Sequence, residues 1–138
     1  MGFARCSRDG HHSAMQPTVG ARGQARRTVT ASDTAESLGS GDVPVLGTPA
    51  VLALVEEAAC AAIAGTLDDG RTTVGSWVEL EHLAPSAVAA DVIATAELTS
   101  AEGKILEFTC EVHDGDRVVA RARHRRVVVN RETFLGRL

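Results

Sequence analysis

The stretch from Gly47 to Gly65, GTPAVLALVEEAACAAIAG, reads as one helix, and every run after it alternates with period two. One nearly all-apolar helix followed by consecutive strands leaves few ways to bury both. The helix has clear ends: Thr48-Pro49 supplies a capping hydroxyl and a proline at the first helical position, and Gly65 is a C-terminal stop. Between them 3.6-residue periodicity is nearly swamped by Ala, Val and Leu, so the helix is expected to be covered on most of its circumference. Glu56 and Glu57 interrupt it, and at least one of them must face an apolar neighbourhood. They also keep the run below the length of about 18 residues that a membrane span needs.

Four strands follow. RTTVGSWVELEHL sets Val74, Ser76, Val78, Leu80 and His82 on one face and Thr73, Gly75, Trp77, Glu79 and Glu81 on the other. Val88 to Leu98 is the next strand, with SAEG turning at 100–103. Lys104 to His113 points Leu106, Phe108, Cys110 and Val112 inward, and Asp114-Gly115 is a hairpin turn into a strand from Asp116 to Asn130. Residues 24–31 form a shorter strand ahead of the helix. The expected class is α+β, an antiparallel sheet curled round a long central helix. Residues 1–15 show no period and read as a tail, so a single domain is expected over 16–138, and Met15 is a second candidate start.

Composition narrows the function classes. Aromatics make up only 3% of the chain, so a core must come from Val, Ala and Leu. The same scarcity, with a formal net charge of -4, argues against nucleic-acid binding. Cys6, Cys60 and Cys110 are odd in number and widely spaced, which indicates neither a zinc ribbon nor a disulfide framework; buried free thiols at Cys60 and Cys110 and a cytoplasmic location follow. No secretory signal or membrane segment is read. His11 and His12 belong to the tail.

The residues with chemical potential each carry two readings. Thr48 is a cap or a reacting hydroxyl. Glu56 and Glu57 are direct rivals, and periodicity cannot separate neighbours. His82 is a strand-end histidine bonded to a carbonyl, or an acid-base group. Gly75 marks a bulge or close packing, or lends its backbone to a ligand. His113 is a turn residue, and His124 is as open to a structural role as to a site role. Arg121, Arg123 and Arg125 line one strand face, either as an edge paired with Glu107 or Glu111 or as a positive rim for phosphates.

Four blocks in order bear on several of these by resemblance: GTPAVLALVEEAA with threonine eight residues before glutamate, VGSWVELEHLA with glycine seven before histidine, LEFTCEVHDG, and ARHRRVVVNRETF. From about Ala31 onward the chain resembles the hotdog-fold thioesterases, specifically the fluoroacetyl-CoA thioesterase-like family. The resemblance implies catalytic roles for Thr48, Glu56 and His82, a backbone contact from Gly75 near the thioester oxygen, and Arg126 near the acyl-CoA binding region. It also implies a homodimer with sites at the subunit interface. Neither a metal nor a cofactor is required. The chemistry agrees: thioester hydrolysis needs an activated water or a carboxylate nucleophile, plus stabilisation of an oxyanion.

Two departures from the family bear on specificity. DVPVLG, ahead of Thr48, has no aromatic residue, and Glu57 stands where an aromatic would close the pocket. A more open pocket lined by Val45, Leu46 and aliphatic helix residues is expected, suited to other short or medium acyl groups. The alternative function is a non-catalytic acyl-CoA-binding hotdog module, since a fold does not dictate chemistry. A buried carboxylate beside an anionic ligand favours catalysis. A hydratase of the same fold would want an Asp/His motif that is absent around Asp91.

Overall fold

The computed structural model describes residues 16–138. The tail, its paired histidines, Cys6 and Met15 lie outside the described residues. Strand β1 (Arg22–Thr28) leads through a 3-10 turn at Ala31–Asp33 and a short helix α1 (Ala35–Leu38) to the long helix α2 (Thr48–Ala62). Then come β2 (Arg71–His82), β3 (Asp91–Glu102), β4 (Ile105–Asp114) and β5 (Arg117–Asn130), closed by a short α3 (Arg131–Gly136). The strands form one five-stranded antiparallel sheet in the order β1-β3-β4-β5-β2, leaving β1 and β2 at the edges.

The sheet curls round α2, as the order of elements requires. Ala50, Val51, Leu54, Val55, Ala58, Ala59 and Ala62 are buried along one helical stripe. Facing them are Val92, Ala94, Ala96 and Leu98 of β3 and Leu106, Phe108, Cys110 and Val112 of β4. Small residues let the layers approach closely. At Gly23 in β1 even one methyl would overlap the α2 backbone at Ala58, Ala61 and Ala62.

Coverage of α2 is narrower than expected. A single sheet shields one side only, and Pro49, Ala53, Glu57, Cys60 and Ala61 stay exposed, with Leu52 and Glu56 half-buried. Cys60 is therefore an exposed thiol, not a buried one. Cys110 is buried, and burial pushes its thiol up to about 12. Among the described residues no helix is long and apolar enough to cross a membrane.

Ideal alternation fails at one place in β2. Gly75 pairs with Arg126 and Trp77 with Arg125, so Ser76 is an extra residue in a bulge. The face assignment therefore splits. Thr73 and Gly75 point toward the helix before the bulge; Val78, Leu80 and His82 do so after it. Val74 and Trp77 fall on the outer face. The expectation that Gly75 and His82 lie on opposite faces is overturned, because one inserted residue inverts all that follow it.

Candidate active site

The N-cap of α2 is Gly47, with extended backbone and no side-chain capping bond. Thr48 is thus the first helical residue, and its hydroxyl is not spent on the cap. It meets His82 instead, Oγ1 to Nδ1 at 2.9 Å. The neighbouring chain segments hold this contact in place. Leu46 N–H donates to Ser86 O at 2.9 Å, Val45 bridges Ala87, and Leu83 N–H donates to Val119 O at 2.7 Å.

His82 ends β2 with its Nε2 buried and without a hydrogen-bond partner among the described residues. Burial holds its imidazole below the ordinary value of 6.5; the Ala84 backbone tempers that shift without meeting Nε2 in bonding geometry. The ring is accordingly a neutral base near pH 7, joined to a hydroxyl at Nδ1 and buried without a partner at Nε2 among the described residues.

Glu56 stands two turns further along α2, about 12 Å up the axis from Thr48 at 1.5 Å per residue. The structure does not bond it to Thr48 or His82. Its Oε2 accepts from Arg126 Nη1 at 3.0 Å and lies 3.7 Å from His124 Nε2. Its side chain is 40% exposed, so the apolar surroundings expected for it are absent. Glu57 points elsewhere, more exposed still, with Arg27 3.9 Å away. The rivalry between the two carboxylates is decided by geometry: Glu56 is the one aimed at the sheet.

Arg126 is only 7% exposed. Besides Glu56 it donates from Nε to Thr73 Oγ1 at 2.9 Å and from Nη2 to the Thr73 carbonyl at 3.2 Å, and Nη1 meets His124 Nε2 at 3.1 Å. It therefore lies beneath Glu56 with its donors largely engaged inside the chain. Gly75 completes the cluster by leaving room. A methyl there would overlap Glu56 Oε2 and crowd His124 and Arg126. Of the expected pocket wall, Val45 is half-buried, but Leu46 is sealed in the core at 1% exposure and does not line an open surface.

His124 and Thr73 are the participants that sequence reasoning left undecided or passed over. The signal for His124 was its inward register with Arg126, two residues on. Thr73 had none, since its carbonyl and hydroxyl matter only because an arginine 53 residues away comes to rest on them. Arg121, Arg123 and Arg125 lie on the outer face, paired with Glu111, Glu79 and Glu107 at 3.2, 3.1 and 3.0 Å. Arg123 and Arg125 also sit over the Trp77 ring at 5.8 and 5.2 Å. A groove of about 540 Å³ runs over this face, bordered by Arg121, Arg123, Glu79 and Glu111. It is on the far side of the sheet from Thr48, Glu56 and His82.

One helix thus carries two polar sets, a Thr-His pair at its start and a glutamate on a buried arginine beyond, inside a curled antiparallel sheet. The family model described as FlK, fluoroacetyl-CoA-specific thioesterase, matches residues 29–132. The chain belongs to this family. The fluoroacetyl-CoA thioesterase of Streptantibioticus cattleyicolor is 32% identical over 90 residues, a match spanning 65% of this chain and 65% of that protein. The solved structure of the fluoroacetyl-CoA thioesterase FlK superimposes with a TM-score of 0.81 at 28% identity, covering 87% of this chain and 93% of that one. A variant of FlK in complex with fluoroacetate and CoA gives 0.79 at 28% identity, covering 85% and 98%. A thioesterase-superfamily protein of Thermus thermophilus, 24% identical, shares the fold with a TM-score of 0.80 over 87% of this chain and 89% of its own. The fold of this FlK-family chain is the hotdog fold, an α+β architecture.

Proposed function

We propose that this chain hydrolyses a short or medium acyl-CoA thioester, with Thr48, Glu56 and His82 as its catalytic residues. The observation that carries the reading is the 2.9 Å bond between Thr48 and His82, made by a hydroxyl freed from capping and a ring kept neutral by burial. Kinship with the FlK family, one of whose members has been solved with fluoroacetate and CoA, supplies the substrate class. In the reaction a water oxygen bonds to the thioester carbonyl carbon, the carbon–sulfur bond breaks, and the water's proton passes to the departing thiolate. His82 moves that proton. Glu56 orients the water, or else attacks the carbonyl carbon itself, expelling the thiolate to give a mixed anhydride that the water then cleaves to free Glu56 and the acid. Gly75 offers backbone beside the developing oxyanion.

The site is further proposed to be completed by a second copy of the chain. β2 carries Thr73, Gly75 and His82, and as a 12-residue edge strand it presents an unpaired rim of backbone groups. Beside it runs the uncovered stripe of α2, with Leu52 and Ala53. A mass from analytical ultracentrifugation equal to twice the chain's 14.4 kDa is expected; a monomer at micromolar concentration overturns the shared site.

The test of function is thiol release from a panel of short- and medium-chain acyl-CoA thioesters, with Glu56→Gln alongside. Wild-type release that falls by about 100-fold or more in the variant is expected. Acyl-CoA binding with no release from any thioester would assign the chain to the non-catalytic binding modules instead.

A further inference from the structure

The His124 ring has partners on both sides, and their chemistry settles its protonation. The Trp77 carbonyl can only accept, so the 2.8 Å contact at Nδ1 requires a proton there. Arg126 Nη1 can only donate, so the 3.1 Å contact at Nε2 requires a lone pair. The ring is thereby neutral and in the Nδ1–H tautomer. At 2% exposed it is shut off from bulk water, and it stacks on Phe108 with centroids 6.1 Å apart.

The guanidinium above it is held from three directions. Thr73 fixes Nε and Nη2, and His124 takes one of the two Nη1 hydrogens. The other Nη1 hydrogen goes to Glu56 Oε2. That arrangement anchors one carboxylate oxygen and leaves Oε1 with no hydrogen bond among the described residues. The space into which Oε2 fits exists because residue 75 has no side chain.

We infer that His124 is a positioning residue: its Nε2 lone pair locks the Arg126 guanidinium so that Glu56 is held by one oxygen and offers the other to the reacting centre. The part about reaction rests on the proposed thioesterase function, whereas the clamp itself rests on geometry alone. The clamp has a direction. Protonating Nε2 would set an N–H against the guanidinium and end the contact. The charged groups facing His124 are Arg126 from β5 and Glu56 from α2, while β2 contributes the Trp77 carbonyl and β4 the Phe108 ring. Burial and the arginine's charge hold its imidazole below 6.5, against the opposing pull of the Trp77 carbonyl and Glu56. The clamp therefore stays closed through neutral pH and opens only on acidification.

Two substitutions and one spectroscopic measurement test this. His124→Phe keeps the bulk and the stacking on Phe108 but has no acceptor. His124→Gln carries an amide oxygen about where Nε2 sits. If positioning is the role, kcat of thiol release falls about tenfold in His124→Phe with KM within about twofold, and His124→Gln recovers most of it. A folded His124→Phe enzyme with wild-type kcat overturns the inference, however much its melting temperature has dropped, because a purely structural role would move only the latter. Independently of turnover, ring-nitrogen NMR of the wild type should show Nδ1 protonated and Nε2 bare at neutral pH. The carboxyl carbon-13 signal of Glu56 should move in His124→Phe and stay near its wild-type position in His124→Gln. An Nε2–H tautomer, or a Glu56 signal indifferent to both substitutions, overturns the clamp even if no thioester is hydrolysed. Loss of all turnover in the wild type with these signals as expected would reject the thioesterase reading and leave the clamp standing.

Discussion

Replacing His82 by alanine is expected to lower kcat/KM for thioester hydrolysis by about a thousandfold, the middle of the range for a positioned acid-base group. Among the described residues the imidazole is the base bonded to the Thr48 hydroxyl, and removing it also empties the buried position of Nε2. The pH-rate profile of the wild type supplies a second reading of the same group. Because burial depresses the His82 value below 6.5, the neutral ring prevails at pH 7, and the rate should fall only as pH drops through that lowered value. The part of the acid limb that His82 contributes should vanish from whatever activity the alanine variant retains, leaving only the fall that follows when the Arg126–His124 contact opens. Stability has the same sign. The unfolded chain, with an ordinary histidine, binds protons more readily than the fold does, so the fold loses stability as pH falls below about 6.5.

Thr48→Val separates chemistry from architecture at the other end of that bond. A capping threonine lost in this way would cost about 1 kcal/mol. Here Gly47 occupies the cap, so the change in stability should stay within about 0.5 kcal/mol while turnover falls with that of the His82 variant. Urea unfolding beside the kinetic assay distinguishes the two cases. A large loss of stability with little loss of rate would return Thr48 to a structural role.

Phe108→Ala is expected to cost about 3–5 kcal/mol, the largest stability loss available from a single truncation in this core. The physical reason is composition. The chain has three Phe, one Trp and no Tyr. Among the described residues Trp77 and Phe134 are exposed, which leaves Phe108 as the aromatic residue inside. Apart from the His124 ring stacked on it, the core it belongs to is mostly Ala, Val and Leu on a sheet and helix, side chains too short to close the cavity by changing rotamer. With typical domain stabilities of about 5–15 kcal/mol, such a loss brings the fold near its limit. Phe108→Leu should cost far less, about 1 kcal/mol. Urea midpoints with an unchanged m-value measure both. A Phe108→Ala midpoint near wild type would mean that the sheet collapses onto the gap, contrary to the close packing described.

Much of the candidate site is legible along the chain. The Thr48 and Glu56 spacing, the Gly75 and His82 spacing, and the His124 and Arg126 spacing are linear patterns, and the structure sets these residues on the helix side of the sheet. What could not be read is how they pair. Counting by two along β2 put Gly75 and His82 on opposite faces, because a bulge depends on hydrogen bonds to β5 and leaves little local signature. The helix, alanine-rich on all sides, hid which side the sheet would cover. The resemblance puts Arg126 near the acyl-CoA binding region, but only the fold shows Thr73 and Glu56, 53 and 70 residues distant, closing round it.

By itself the sequence determined the order of elements, the class of fold and the family, because hydrophobic period and spaced side chains are properties of a chain read along its length. Tertiary structure alone decided that the polar residues form two bonded sets, Thr48 with His82 and Glu56 with Arg126, His124 and Thr73. The physical reason is that a buried charge or a shared proton is settled by whatever stands across the fold from it, and that neighbour is chosen by register, bulge and curl, not by sequence distance.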